Sequence, residues 1–225
     1  MKVMHSSPPT PQLRRRLAMT QRIIDAATEI VVEGGFDALS VQRIAAALDY
    51  TPGAMYRYFP SKDALVSAVV VGIIEDVGVF MREVAGITAL ERLRTLAFRW
   101  GAFAKDAPHR FGLIQVLMAT PQVILADAAL AAPAIDAMFR AMDPVRAALC
   151  DAADEGALKP GDASRRALVL FAGLQGALML RKQSRHVPAL IAPDLLFRDV
   201  LETLIAGWTA GEVPDRGASS NGSRT

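Results

Sequence analysis

Residues 51–62 have the sequence TPGAMYRYFPSK, and this stretch decides how the N-terminal part of the chain folds. Thr51 is a residue type that caps helix N-termini, and Pro52 occupies the first helical position, where its missing N–H costs nothing. Pro60 ends that helix, and Ser61 caps the next one. The pattern therefore predicts a helix of about two turns between two sharp boundaries.

Two further helices are predicted before this stretch. The first should begin at Thr20 and stop at Gly34-Gly35. Its apolar side chains recur at helical spacing, at Ile23, Ile24, Ala27, Ile30 and Val31. The second should be capped by Ser40 and broken at Asp49, with an inward face of Val41, Ile44, Ala45 and Leu48. Three short helices with a tight turn between the second and third describe a helix-turn-helix unit.

The outward surface of the third helix is the first candidate site. If Met55 and Phe59 face inward, the helix presents Gly53, Ala54, Arg57 and Tyr58 outward, with Tyr56 at the boundary. Small residues let a helix backbone approach a base edge, whereas tyrosine, arginine and lysine reach phosphates. The alternative is an amphipathic helix that merely covers a core.

Residues 23–69 resemble the N-terminal domain of the tetracycline-repressor (TetR) family of bacterial transcriptional regulators. The segments that carry the resemblance are SVQRIA at 40–45 and TPGAMYRYFPSKDAL at 51–65. The resemblance implies an all-α homodimer that binds a palindromic operator and is released by a ligand. The expected fold class is an N-terminal three-helix helix-turn-helix domain plus a larger helical ligand-binding and dimerisation domain.

The resemblance also implies which residues contact DNA. These are Ser40, Gln42, Thr51, Pro52, Gly53, Ala54, Tyr56, Tyr58 and Lys62, with Arg43 and Arg57 as further candidates. The chain departs from the family at Asp49, where the family usually has glycine. Aspartate tolerates the left-handed conformation that this turn requires, but its charge near the operator backbone should weaken binding slightly.

Charge is divided unevenly along the 225 residues, although 25 Lys+Arg nearly balance 23 Asp+Glu. Residues 1–62 hold eight basic and five acidic groups (+3), and the remainder holds 17 basic and 18 acidic groups (−1). We expect a flexible basic arm at 1–18 containing Arg14–Arg16, a DNA-binding domain at 19–64, a ligand-binding and dimerisation domain at 65–212 and a disordered tail at 213–225. The arm could contact DNA or remain a solvated tail.

The larger C-terminal part should contain helices near 88–105, 108–119, 120–130, 133–155, 163–184 and 193–209. The segments 165–185 and 193–209 are apolar on most sides and predict burial on more than one side. The resemblance implies that these two helices form the homodimer interface; the alternative is the core of a monomer.

A ligand pocket is predicted between the middle helices, where aromatic residues and methionines cluster. The candidate ligand-binding residues are Phe80, Trp100, Phe103, His109, Phe111, Met118, Phe139 and Gln175. The effector should then be small and largely hydrophobic. The same residues could instead be ordinary core.

Other classes of protein are disfavoured. A single cysteine, Cys150, cannot form an intrachain disulfide, and it lies in an apolar run that predicts a buried thiol. His5, His109 and His186 lack metal-ligand spacing, and we expect no metal, cofactor or enzymatic activity. Lacking a secretory signal and an apolar run of membrane-spanning length, the chain should be cytoplasmic.

The combined expectation is a ligand-responsive DNA-binding transcriptional regulator that acts as a repressor. The competing class is a helical carrier or sequestering protein for apolar molecules that does not bind DNA.

Overall fold

The computed structural model describes residues 10–82, 84, 88–119, 127–184, 186–187 and 192–209, and regular structure in these ranges is helical throughout. The predicted all-α fold class is confirmed. The α-helices are α1 (Pro11–Gly34), α2 (Val41–Ala47), α3 (Pro52–Met55), α4 (Lys62–Met81), α5 (Ala89–Asp106), α6 (Pro108–Ala119), α7 (Ala128–Asp154), α8 (Ala163–Met179) and α9 (Pro193–Thr209).

The first helix begins earlier than its apolar pattern predicts. Thr10, not Thr20, caps α1: its Oγ1 accepts a hydrogen bond from Leu13 N at 3.3 Å, and Pro11 follows at the first helical position. Thr20 lies inside the helix and donates its hydroxyl to the carbonyl of Arg16. The expectation of a flexible arm is therefore wrong for residues 11–18, and residues 1–9 and the expected tail at 213–225 lie outside the described residues.

The helix-turn-helix follows the predicted boundaries closely. Ser40 caps α2 by accepting from Arg43 N at 3.2 Å, and Asp49 adopts φ 57° in the turn that follows. The helix α3 is shorter than predicted, because the N–H groups of Tyr58 and Phe59 both donate to the Met55 carbonyl and close the turn there. The proline at position 60 also disfavours helical geometry at the residue before it.

The chain divides into two compact units. The first comprises residues 1–85 and 98–145, and the second comprises 86–97 and 146–225. The first therefore contains the helix-turn-helix, α4, α6 and part of α5 and α7; the second contains α8, α9 and the remainder of α5 and α7. This division follows packing, and the functional boundary expected at residues 64–65 stays a prediction.

The most apolar helix is α4, which by length and composition alone could cross a membrane, so the expectation that the chain has no apolar run of that length is wrong. In the structure its side chains Leu65, Val69 and Ile73 are buried in the first unit, which is the environment of a core helix in a globular domain. The buried Ser67 hydroxyl donates to the Leu130 carbonyl of α7 at 2.6 Å. This hydrogen bond ties α4 to α7 within the unit.

Two expectations for α7 are corrected. Pro133 does not separate two helices, because α7 already begins at Ala128 and Asp127 accepts hydrogen bonds from the first turn. Residues 120–126, where another helix was expected, lie outside the described residues. Cys150 is exposed rather than buried, since the buried face of this part of α7 is formed by Ala148, Leu149 and Ala152.

Candidate nucleic-acid interface

A small apolar core holds α3 in place. Met55 is 4% exposed, and Ile44 of α2 is also buried. Ile23 of α1 lines the same small cavity as Met55 and Tyr56. Of the predicted inward positions of α2 and α3, Ile44, Ala45 and Met55 are buried, whereas Val41, Leu48 and Phe59 are half-buried.

The outward surface of α3 differs from the predicted one at Ala54 and at the two tyrosines. Tyr56, expected at the boundary, is 55% exposed, whereas Tyr58, expected to point outward, is half-buried. The residues Thr51, Pro52, Gly53, Arg57 and Lys62 are exposed as expected, and Ala54 is half-buried.

Gly53 lies on an open part of this surface. A Cβ built at Gly53 meets no heavy atom within 4 Å, so the glycine is not required by packing within the described chain. The Thr51 side chain makes no capping hydrogen bond, in contrast to those of Ser40 and Ser61. The start of α3 therefore presents backbone and a hydroxyl without covering side chains.

Two of the candidate DNA-binding residues at the start of α2 make hydrogen bonds that stabilise the fold. The Ser40 hydroxyl caps the helix, and Arg43 donates from a guanidinium nitrogen to the Ala38 carbonyl at 3.1 Å. Arg43 and Gln42 remain exposed. The bond to Ala38 restrains the guanidinium while leaving its other donors available to a phosphate.

The segment that folds into this helix-turn-helix matches a known protein family. Residues 23–69 match the family model described as bacterial regulatory proteins, tetR family. This segment is therefore similar to the tetR family of bacterial regulatory proteins. The matched segment contains the second half of α1, all of α2 and α3, and the first turns of α4.

Longer similarities extend beyond the segment that the family model matches. The chain is 29% identical over 123 residues to the HTH-type transcriptional repressor KstR of Rhodococcus jostii, covering 55% of each chain. It is 36% identical over 131 residues to KstR of Mycobacterium tuberculosis, covering 54% of this chain and 57% of that one. The chain thus spans about half the length of these curated relatives.

A solved repressor structure has a similar fold over a larger share of the chain. SmeT, the repressor of the Stenotrophomonas maltophilia multidrug efflux pump SmeDEF, superposes with a TM-score of 0.60 at 20% identity. The superposition covers 86% of this chain and 91% of SmeT. At that identity the likeness concerns the fold alone.

The candidate effector residues are only partly brought together. Trp100 stacks on Phe103 with ring centroids 5.7 Å apart and meets Phe111 edge-on at 5.5 Å. Phe80 joins this cluster through Phe103 at 5.6 Å. Arg99 donates to the Phe80 carbonyl at 3.1 Å and lies over its ring. These side chains make an aromatic cluster within the first unit.

The remaining candidates lie elsewhere. Phe139 and His109 are exposed, and the side chain of Met118 lies outside the described residues. Gln175, on α8 of the second unit, is 5% exposed, and within the described structure neither of its amide atoms has a hydrogen-bond partner. Among the described residues, acidic, histidine and cysteine side chains nowhere group in a way that could hold a metal ion.

Proposed function

We propose that this protein is a DNA-binding transcriptional regulator that acts as a repressor and is released from its operator by a small hydrophobic effector. The observation that carries the proposal is the exposed surface at α3. Gly53, near the start of this helix, has no intramolecular packing role, and Tyr56, Arg57 and Lys62, which follow the helix, are accessible. Such a surface suits close approach of a helix to a major groove with phosphate contacts around it. The relative KstR is named a transcriptional repressor, which supports repression rather than activation as the mode of regulation.

The test uses two glycines whose added side chains both meet open space. Gly53→Val places methyl groups on the proposed DNA surface, and Gly112→Val places them on α6, where a built Cβ also has no neighbour within 4 Å. Duplexes that wild-type protein selects from a random library provide the probe. We expect Gly53→Val to lose at least tenfold in affinity and Gly112→Val to bind like wild type, with both variants retaining the wild-type melting temperature.

Failure of the wild-type protein to retain any duplex at low salt would contradict the regulator proposal. The carrier alternative would then be favoured if the purified protein retained an apolar small molecule in native mass spectrometry. Equal DNA binding by the two glycine variants would instead place the interface away from α3.

The active form is proposed to be a homodimer assembled through the segments near 165–185 and 193–209. Small or apolar side chains recur on the exposed side of α8 at Val169, Ala172, Gly176 and Met179. Their spacing of three and four residues makes one continuous helical stripe. An exposed apolar stripe of this kind favours association with a second copy, and two copies would place two α3 helices on the half-sites of a palindrome.

The proposed effector site is the aromatic cluster in the first unit, where Trp100, Phe103 and Phe111 offer apolar surface. Gln175, in the second unit, is a separate candidate that offers an amide to a polar group. An effector that binds the conformation with wrongly spaced DNA-binding helices would shift the population away from the operator. A regulator of this type acts on chromosomal DNA, so the cytoplasm is its proposed location, with no membrane partner, cofactor or catalytic activity.

A further inference from the structure

The N-terminal part of α1 extends beyond the segment that the TetR family model matches. The helix begins at Pro11, whereas the match begins at residue 23. Residues 11–18 are exposed at every position, so packing does not hold this part of the helix. The Thr10 cap and Pro11 at the first helical position stabilise it locally.

All charged residues of this segment, residues 10–22, are basic. It carries Arg14, Arg15, Arg16 and Arg22 and contains no acidic residue; the first carboxylate along the chain is Asp25. Within the described structure these four guanidinium groups have no ion-pair partner, and Asp25 instead accepts from Gln21 at 2.9 Å. A helix with this charge pattern is complementary to a polyanion.

The buried stripe of α1 leads directly into this basic segment. Met19, Ile23, Ala27 and Ile30 are buried at spacings of three and four residues. Arg16 occupies the preceding position of the same stripe, two turns before Ile23. Ile23 lines the same small cavity as Met55 and Tyr56, and Arg16 lies on the same face of α1 as Ile23, about 10 Å further along the axis.

We propose that residues 10–22 form a preformed second DNA-contact helix that binds phosphates flanking the segment read by α3. This inference rests on the proposed function, since it extends the same interface. The occupant is duplex DNA because four unpaired arginines on one exposed helical segment match a run of phosphates. A helix that is already ordered also loses less conformational entropy on binding than a mobile arm.

The experiment compares two triple variants. R14Q/R15Q/R16Q removes the charge while retaining good helix formers, and R14K/R15K/R16K retains the charge. Binding is measured by fluorescence anisotropy over a series of KCl concentrations, on library-selected duplexes with long flanks and with flanks trimmed by about one helical turn. Circular dichroism establishes that both variants keep the wild-type helix content and melting temperature.

We expect the glutamine variant to bind the long duplex at least tenfold more weakly and the lysine variant to bind it almost like wild type. The slope of log K against log[KCl] should become shallower by about 0.9 for each phosphate that the variant no longer neutralises. The total change in slope should therefore be about two to three for each protomer. Trimming the flanks should remove most of the difference between the wild-type and glutamine proteins.

Other results overturn the inference in distinguishable ways. Wild-type binding with an unchanged slope and affinity in the glutamine variant rejects the second DNA-contact helix while the proposed function stands. Absence of any wild-type binding at low salt rejects both. If L13A/L17A changes the oligomeric state in sedimentation while the glutamine variant binds DNA normally, this helix contacts a second copy of the chain and not DNA.

Discussion

Arg94 of α5 and Glu202 of α9 form a two-pronged ion pair within the second unit. Arg94 Nε donates to Glu202 Oε1, and a terminal guanidinium nitrogen donates to Oε2, both at 2.8 Å. The hydrogen bond to Arg94 lowers the pKa of Glu202 below its ordinary value, and partial burial opposes this effect less strongly. The pair joins two helices through residues that are 108 positions apart in sequence.

The Arg94–Glu202 pair predicts a small pH dependence of stability. Since the folded-state pKa of Glu202 is depressed, its stabilisation is present above the unfolded value of about 4.5 and is lost as the pH falls through the folded-state value. Both side chains are more than a third exposed, so the effect should be no more than about 0.5 kcal/mol. Thermal melts of wild type and Glu202→Gln should differ at neutral pH and converge in acid; a constant gap from pH 7 to about pH 3 would contradict this.

Substitutions at Asp49 should separate the effect of the left-handed turn on stability from the effect of the negative charge on DNA affinity. Its φ of 57° is left-handed, which costs alanine about 1 kcal/mol and asparagine or glycine much less. We therefore expect Asp49→Ala to destabilise the protein by about that amount and Asp49→Asn to leave stability nearly unchanged. Asp49→Asn should also bind operator DNA more tightly than wild type, because it removes a negative charge beside the phosphates; equal affinity at low salt would show that Asp49 does not face DNA.

The exposure of the two tyrosines near α3 predicts different phenotypes. Tyr56→Ala and Lys62→Ala should weaken DNA binding with a change in unfolding free energy of less than about 0.5 kcal/mol. Tyr58→Ala should weaken binding and also reduce stability, because Tyr58 is half-buried. Met55→Ala, the core control, should cost about 2–4 kcal/mol in chemical denaturation. A destabilised Tyr56→Ala variant would contradict the outward placement of that side chain.

Two glycines of α8 should respond oppositely to alanine. A Cβ at Gly173 would lie 2.9 Å from Val200 of α9, and valine has little freedom to move away. Gly173→Ala should therefore destabilise the second unit by about 1–3 kcal/mol. Gly176 has open space at its Cβ, so Gly176→Ala should be neutral or stabilise the helix by up to about 1 kcal/mol. Denaturant titration distinguishes these results, and equal stability of the two variants would contradict the close packing of α8 against α9 at Gly173.

The proposed dimer predicts the effect of charge on the exposed stripe of α8. Ala172→Arg should convert the homodimer to monomer and weaken operator binding, because a guanidinium would be buried between two copies. Ala129→Arg, at an exposed position of α7, is the matched control. Light scattering after size-exclusion chromatography measures the change; a dimeric Ala172→Arg protein would exclude this stripe from the interface.

Local sequence signals determined the helix-turn-helix. Ser40 and Ser61 place oxygens where the first N–H groups of α2 and α4 need acceptors, and Asp49 tolerates the left-handed turn between α2 and α3. These interactions span three or four residues, so they can be recognised without knowledge of distant neighbours. A capping threonine followed by a proline, Thr10 and Pro11, also marks the start of α1. The sequence-based prediction placed this start too late because the apolar periodicity of the helix begins only at Ile23.

Tertiary structure decided which residues of regular helices are buried, and against what. Tyr56 and Tyr58 have the same chemistry and lie two residues apart, yet one is exposed and the other is half-buried. Trp100 of α5 and Phe111 of α6 meet in one cluster, whereas Phe139 of α7 remains exposed. Local hydrogen bonds and periodicity in the sequence predicted most helix positions, although not the start of α1, the end of α3 or the start of α7. Burial depends on contacts with residues distant in the chain, and only the packing of the tertiary structure determines which residues make those contacts.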